Sequence, residues 1–237
     1  MARRDWIWAL TAAIGMAATA VAQDPLVTLP NNYRTIFENG AVTVIRAHYG
    51  AHEKIPVHDH TSFSTVFVYL SDSGQVRIDH AEDNEKPVSV IRPPTVKGAY
   101  RVAAGIAERH SIENLGDTSS DFLRVELKQV ALGLKEPFRG KAPESVAKNM
   151  DAVEFAERDL EIERIVCLGA AACMVKGTAA PSLIVAFTPL SLKVGVTTEK
   201  LDNGAVRWLD AGQGASISSE GGAAAHVLRI LLPASGK

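Results

Sequence analysis

The sequence has little surplus charge of either sign. Twenty-five Lys and Arg stand against 27 Asp and Glu among 237 residues, a formal net charge of −2. No global basic field therefore points toward nucleic acid or an anionic membrane surface. Cysteine is nearly absent, and the two present, Cys167 and Cys173, lack the C-x-x-C spacing of a redox-active pair. There is no Gly-x-Ser-x-Gly nucleophile elbow, which argues against a nucleophilic hydrolase. A phosphate-cradling Gly-rich loop is also missing; Ala211-Gly-Gln-Gly and Glu220-Gly-Gly read as turns. The apolar run Trp6–Ala18 is shorter than the about 20 residues that a membrane span needs.

What is present fits a globular β protein. Hydrophobic residues make up 46% and charged residues 22% of the chain, ordinary values for a folded domain. The length allows one large β domain or two small ones. Residues 1–22 read as a secretory signal peptide. Arg3-Arg4 form a positive start, Trp6–Ala18 an apolar stretch, and Ala20-Val21-Ala22 a small-x-small cleavage site before Gln23. Cleavage after Ala22 would release a periplasmic or secreted protein with no membrane attachment. An uncleaved anchor is the alternative, and Arg3-Arg4 before Trp6-Ile7 bears a faint likeness to a twin-arginine signal. Export makes a Cys167–Cys173 disulfide plausible. It would join two strand ends across a short loop and stabilise by about 2–3 kcal/mol in the chain-entropy model.

Short β-rich runs punctuated by Gly, Pro and Asn fill the rest. Tyr33–Phe37 and Ala41–Ile45 flank Asn39-Gly40, a strong hairpin signal. Further strands are expected at Val57–His60, Thr65–Leu70, Gln75–Asp79, Val88–Ile91, Gly98–Val102, Glu108–Ile112 and Asp121–Leu127, with a charged loop at Ala81–Pro87. Glu144–Asp159 has helical propensity, with Val146, Met150 and Val153 at helical spacing. Strand-like sequence resumes near Glu163 and includes Ser182–Phe187 and Leu192–Val196, and Asp202-Asn203-Gly204 reads as a hairpin turn. The terminal run His226–Leu232 echoes Asp121–Leu127 at an offset of 105, an internal repeat.

One stretch organises the chain: Gly50-Ala-His-Glu-Lys-Ile-Pro-Val-His58-Asp-His60. On a strand, His58 and His60 point to the same face. A third histidine, His110, sits in Gly105-Ile-Ala-Glu108-Arg-His110-Ser-Ile-Glu-Asn114. Glu108 lies two before His110, so on a strand these also share a face. Phe67 and Tyr69 share one face of the next strand and Val68 the other; register decides which lines a cavity. The other histidines, His48, His52, His80 and His226, carry no comparable pattern, and His52 and Glu53 read as a solvated loop.

Gly50…His58-x-His60, a hydrophobic strand, a Gly-containing turn, and later Gly105…His110-x-x-x-Asn114 resemble the two motifs of the cupin superfamily. The resemblance covers roughly residues 40–128. It implies an all-β fold of double-stranded β-helix, or jelly-roll, barrels that bind one divalent metal through His, His, Glu and His. With the repeat, it implies two tandem barrels joined by a partly helical linker. The expected layout is a signal at 1–22, a metal-binding barrel at 23–130, a linker at 131–160 and a degenerate barrel at 161–237. One departure matters: the Glu position falls on Ser64 or Thr65, neither a good ligand, which leaves either a three-histidine site of His58, His60 and His110 or a lost site. Glu108 is the candidate fourth ligand or acid–base catalytic group, and Asn114 is expected to be structural.

Iron, manganese, zinc and nickel all accept neutral imidazole, so the residues do not choose the metal. The resemblance implies a metal-dependent, oxygenase-type enzyme on a small organic substrate. The competing reading is a secreted, non-catalytic barrel that holds a small ligand or a metal. The histidine-poor second barrel is expected to serve as a scaffold or a homodimer surface.

Overall fold

The structure, a computed structural model, describes residues 24–80, 88–169 and 171–233. The expected signal at 1–22 and charged loop at 81–87 lie outside the described residues. Among the described residues the one helix is a short turn, α1 (Pro25–Thr28), capped by Asp24 Oδ1 accepting from Leu26 N. No described helix is long and apolar enough to cross a membrane.

The Asn39-Gly40 signal produces the expected hairpin. Asn39 Oδ1 accepts from Ala41 N and Val42 N, each at 2.9 Å, and closes the turn. It joins β1 (Tyr33–Glu38) to β2 (Val42–Tyr49) in an antiparallel pair. Then follow β3 (Lys54–His60), β4 (Ser64–Tyr69), β5 (Val76–His80), β6 (Val88–Arg92), β7 (Tyr100–Ala103), β8 (Glu108–Asn114), β9 (Ser120–Leu127) and the short β10 (Phe138–Gly140). They form two sheets, ordered β1-β2-β9-β4-β7-β10 and β3-β8-β5-β6.

The second half comprises β11 (Met150–Glu157), β12 (Leu160–Cys167), β13 (Cys173–Val175), β14 (Ser182–Ala186), β15 (Leu190–Val194), β16 (Thr197–Leu201), β17 (Val206–Leu209), β18 (Ala215–Ser219) and β19 (Ala225–Leu231). Its sheets run β11-β12-β19-β14-β17 and β13-β18-β15-β16. Apart from β10, this is the strand order of the first half repeated. The sequence echo explains itself here: β9 lies between β2 and β4, and β19 lies between β12 and β14.

The two larger sheets pack against each other. One core joins Val42, Val66 and Val125 of the first half to Ile162, Leu183 and Leu228 of the second, all fully buried. Strand alternation then decides what faces inward. On β4, Val66 and Val68 point into this shared core, while Phe67 and Tyr69 turn to the opposite face and pack in the first barrel's interior. The second interior is filled by aliphatic residues such as Ile184, Leu190, Leu192 and Ile217. Burying a side chain of this size contributes on the order of 1.5–3 kcal/mol.

Polar ties cross the same boundary. Asn203 Nδ2 donates to Leu70 O at 3.1 Å. Arg164, with no exposed side-chain surface, donates to Gly98 O at 2.8 Å and to Glu154 Oε1 at 2.7 Å. Cys167 and Cys173 form the disulfide that their short loop allowed.

Three local expectations need correction. Glu144–Asp159 is not helical: Met150–Glu157 is strand β11, paired along β12 with a register shift between Val153 and Phe155. The helical spacing of Val146, Met150 and Val153 was coincidental, because Val153 is exposed and Phe155 is the buried residue. Asp202-Asn203-Gly204 does turn, with Gly204 at φ +79, but it joins β16 and β17, which belong to different sheets. The hairpin there lies earlier. Gly195, at φ +58, ends the expected Leu192–Val196 run and returns the chain as β16.

Candidate metal centre

Strand β3 lies at a sheet edge, where Pro56 withdraws no needed ladder donor. The pairing of β3 with β8 slips between Ile55 and His58 and resumes with His58 opposite His110 and His60 opposite Glu108. This bulge sets which residues of β3 meet β8, and period-2 alternation turns both β3 imidazoles to one side. The ligand-capable nitrogens of His58, His60 and His110 lie within 4.8 Å of one another, a grouping that could hold a metal ion. Among the described residues no other such group occurs.

Burial and tautomer prepare these rings as ligands. His58 is fully buried and His110 is 5% exposed. His58 Nδ1 lies 2.9 Å from Pro56 O, and a carbonyl only accepts, so Nδ1 carries the proton and Nε2 offers its lone pair. That lone pair faces Tyr33 Oη at 3.0 Å and His60 Nε2 at 3.1 Å. Two neighbours thus converge on one acceptor. His110 Nδ1 is buried with no hydrogen-bond partner at all. An orphaned imidazole nitrogen beside a contested one is the donor set that a divalent cation satisfies.

The charges agree. Burial holds the His58 imidazole below its usual pKa, with a further push from Arg124. Burial and Arg124 drive His60 far down, and burial with the neighbouring His58 ring lowers His110 to about 3. All three are therefore neutral near pH 7, as metal ligation requires.

His60 and His110 border a cavity of about 140 Å³. Phe67, Tyr69 and Phe122 supply aromatic wall, and Arg92, Arg101 and Arg124 supply charge. Glu108 lines this cavity but stands outside the three-histidine group. Its Oε2 lies 3.8 Å from Arg124 Nη1, while Arg124 Nε donates to Glu126 Oε1 at 2.9 Å. The fourth-ligand reading of Glu108 thus has no support in this geometry; its place at the cavity wall is compatible with proton transfer.

Residues set aside in the sequence have other duties. His48 and His52 pair with Asp121 and Asp117 at the surface. Glu53 Oε1 accepts from Asn32 Nδ2 at 2.9 Å and Oε2 from Gly50 N at 2.6 Å. Asn114 is structural as expected: its Nδ2 reaches Tyr49 O, Gly50 O and Thr118 O, and its Oδ1 accepts from Gly116 N. Sequence reasoning gave no role to Tyr33, Arg101, Arg124 or His80, all of which line the cavity. His80 sits opposite His110 across β5 and β8, with ring centroids 5.6 Å apart. Only strand register brings it there, and its one sequence signal is its place at the end of a β-rich run.

Solved structures share this architecture at low sequence identity. AerE from Microcystis aeruginosa aligns with a TM-score of 0.60 at 12% identity, over 85% of this chain and 97% of that one. YhaK from Escherichia coli gives 0.57 at 10% identity, over 85% and 92%. Salicylate 1,2-dioxygenase from Pseudaminobacter salicylatoxidans gives 0.54 at 12% identity, over 81% and 70%. No protein-family model and no curated protein matches the sequence. Paired antiparallel sheets and a repeated strand order give the chain a two-barrel all-β fold, which it shares with these solved structures.

Proposed function

We propose that the chain is an exported cupin that binds a divalent metal through His58, His60 and His110 and acts as an oxygenase-type enzyme on a small organic molecule. The observation that carries this reading is the convergence of three neutral imidazoles, His58 and His110 buried and His60 half-buried, beside a cavity that His60 and His110 line. A bound metal would supply Lewis acidity and open coordination positions. The chain's own residues do the rest. Pro56 O fixes the His58 tautomer, and Tyr33 Oη supports its Nε2 face. Phe67, Tyr69 and Phe122 give the chamber an apolar wall for the body of a substrate. Glu108 takes or returns a proton at its carboxylate, held by Arg124.

The likeness to salicylate 1,2-dioxygenase, solved also with gentisate, favours oxygen chemistry on a small ring. Export is supported by the signal-like residues 1–22 and by the Cys167–Cys173 bridge, which persists in oxidising compartments.

A second reading, a non-catalytic ligand- or metal-binding barrel, is favoured by the lack of a carboxylate in the ligand group. Elemental analysis of the mature protein beside His110→Ala tests the metal assignment. About one iron per chain, lost in the variant, supports the enzyme reading, and oxygen uptake with small phenols, thiols and diketones would then establish turnover. Bound zinc with no turnover favours the binding barrel. No metal in either protein overturns the site.

A further inference from the structure

Three arginines, Arg92, Arg101 and Arg124, line the histidine-bordered cavity against one carboxylate, Glu108. Two of the three are engaged. Arg124 is shared between Glu126 at 2.9 Å and Glu108 at 3.8 Å. Arg92 Nη2 donates to Ser120 Oγ at 3.1 Å, and its guanidinium sits 5.4 Å from the Tyr69 ring centroid. Arg101 differs. Its guanidinium lies 4.1 Å over the Phe67 ring, and its Nε is buried with no hydrogen-bond partner. Strand pairing sets it opposite Phe67 on one side and Arg139 on the other, so neither neighbouring strand offers an anion there.

A half-buried guanidinium whose Nε lacks an acceptor has unused donor capacity, and its planar form is suited to a two-point grip on a carboxylate. Burial pulls the Arg101 pKa below its usual value, while Tyr69 and Glu108 push it up. The rest of the chamber is mostly apolar: Val76, Ile78 and Ile112 join the aromatic wall. Its volume of about 140 Å³ is close to that of engineered cavities, about 150 Å³, that hold one benzene ring. A second cavity of about 80 Å³ shares Phe67, Arg101, Glu108 and Arg124 with the first, which puts the Arg101 and Phe67 side chains in the wall between them.

We propose that the chamber takes a small organic monocarboxylate with a flat apolar body of one ring, its carboxylate gripped by Arg101 and its body against Phe67 and Phe122. Arg101 is then the residue that selects for negative charge. This inference rests on the reading of the cavity as the ligand chamber, and it holds whichever metal the histidines bind.

The test is calorimetric titration of the purified protein, as isolated, with benzoate and with benzamide, its neutral isostere. The same titrations are run on Arg101→Gln and Arg101→Lys, and the metal content of every sample is recorded. Wild type is expected to bind benzoate at least tenfold more tightly than benzamide. Arg101→Gln should bring that ratio near one with bound metal unchanged, and Arg101→Lys should keep part of the preference. Equal affinities, no benzoate binding by wild type, or a preference that survives in Arg101→Gln would each overturn the inference. An Arg101-dependent preference in a protein without metal would sustain this inference while removing the metal reading. Bound metal without the preference would do the reverse.

Discussion

Arg164 Nη1 lies 2.8 Å from His226 Nε2, so the one histidine of the second half is held as an acceptor for a buried guanidinium. Burial and this cation lower the His226 pKa to about 3. The unfolded imidazole titrates near its ordinary value, about 6.5. Between the two, the unfolded state binds a proton that the folded state refuses. Stability from this group is therefore complete above about pH 6.5 and falls as pH drops toward 3. The loss approaches about 1.4 kcal/mol per pH unit. Urea unfolding at pH 6.5 and pH 5 should show a smaller pH dependence in His226→Gln than in wild type. Equal slopes would assign the acid sensitivity elsewhere.

Breaking the other side of that contact should be severe. Arg164→Met would leave Glu154 without its two guanidinium hydrogen bonds and Gly98 O without its donor. Removing one partner of a buried pair costs about 3–5 kcal/mol. Because Glu154 keeps some solvent access, the lower end is expected, read as a shift of the urea midpoint.

The disulfide closes a short loop, and Cys167 is fully buried. Cys167→Ser/Cys173→Ser should lose about 2–3 kcal/mol by the chain-entropy argument. Mass analysis after alkylation, with and without reductant, checks the bridge. Free thiols in the oxidised sample would contradict it.

Gly204 has two reasons to be glycine. Its φ is +79, and a Cβ there would lie 2.6 Å from Leu70 Cδ1 across the boundary between the halves. Gly204→Val should lower the melting temperature clearly, by several degrees, from combined strain and overpacking, on the order of 1–3 kcal/mol. A substitution with no thermal effect would mean that this turn does not clamp the two barrels.

Glu108→Gln separates proton transfer from ligation. Because Glu108 stands apart from the three-histidine group, the variant should keep its metal and lose turnover. Loss of metal in the variant would restore Glu108 to the ligand set.

The pair His58 and His60 was legible because strand alternation alone puts both on one face, and His110 because its flanking glycine and asparagine marked a second strand of the same kind. Tyr33, His80, Arg101 and Arg124 were not. They stand singly on four different strands, and only the pairing of those strands brings them to one chamber. Phe67 and Tyr69 were recognised as sharing a face, but the face itself was set by which side of β4 met the second half. The misread helix at Glu144–Asp159 shows the limit from the other direction. Three apolar residues at helical spacing outweighed a strand pattern whose bulge at Val153 and Phe155 hid its period of two.

The shared core between the larger sheets makes the second half a tethered partner. A freestanding first barrel would present Val42, Val44, Val66 and Val125 as a bare sticky sheet, an invitation to self-association. Covalent linkage keeps the covering half at a high effective concentration whatever the dilution. This seal therefore does not loosen on dilution as a separable dimer would. The aliphatic packing of the second interior follows the same logic. A half packed with aliphatic side chains is a stiffer backing plate for the barrel that leans on it.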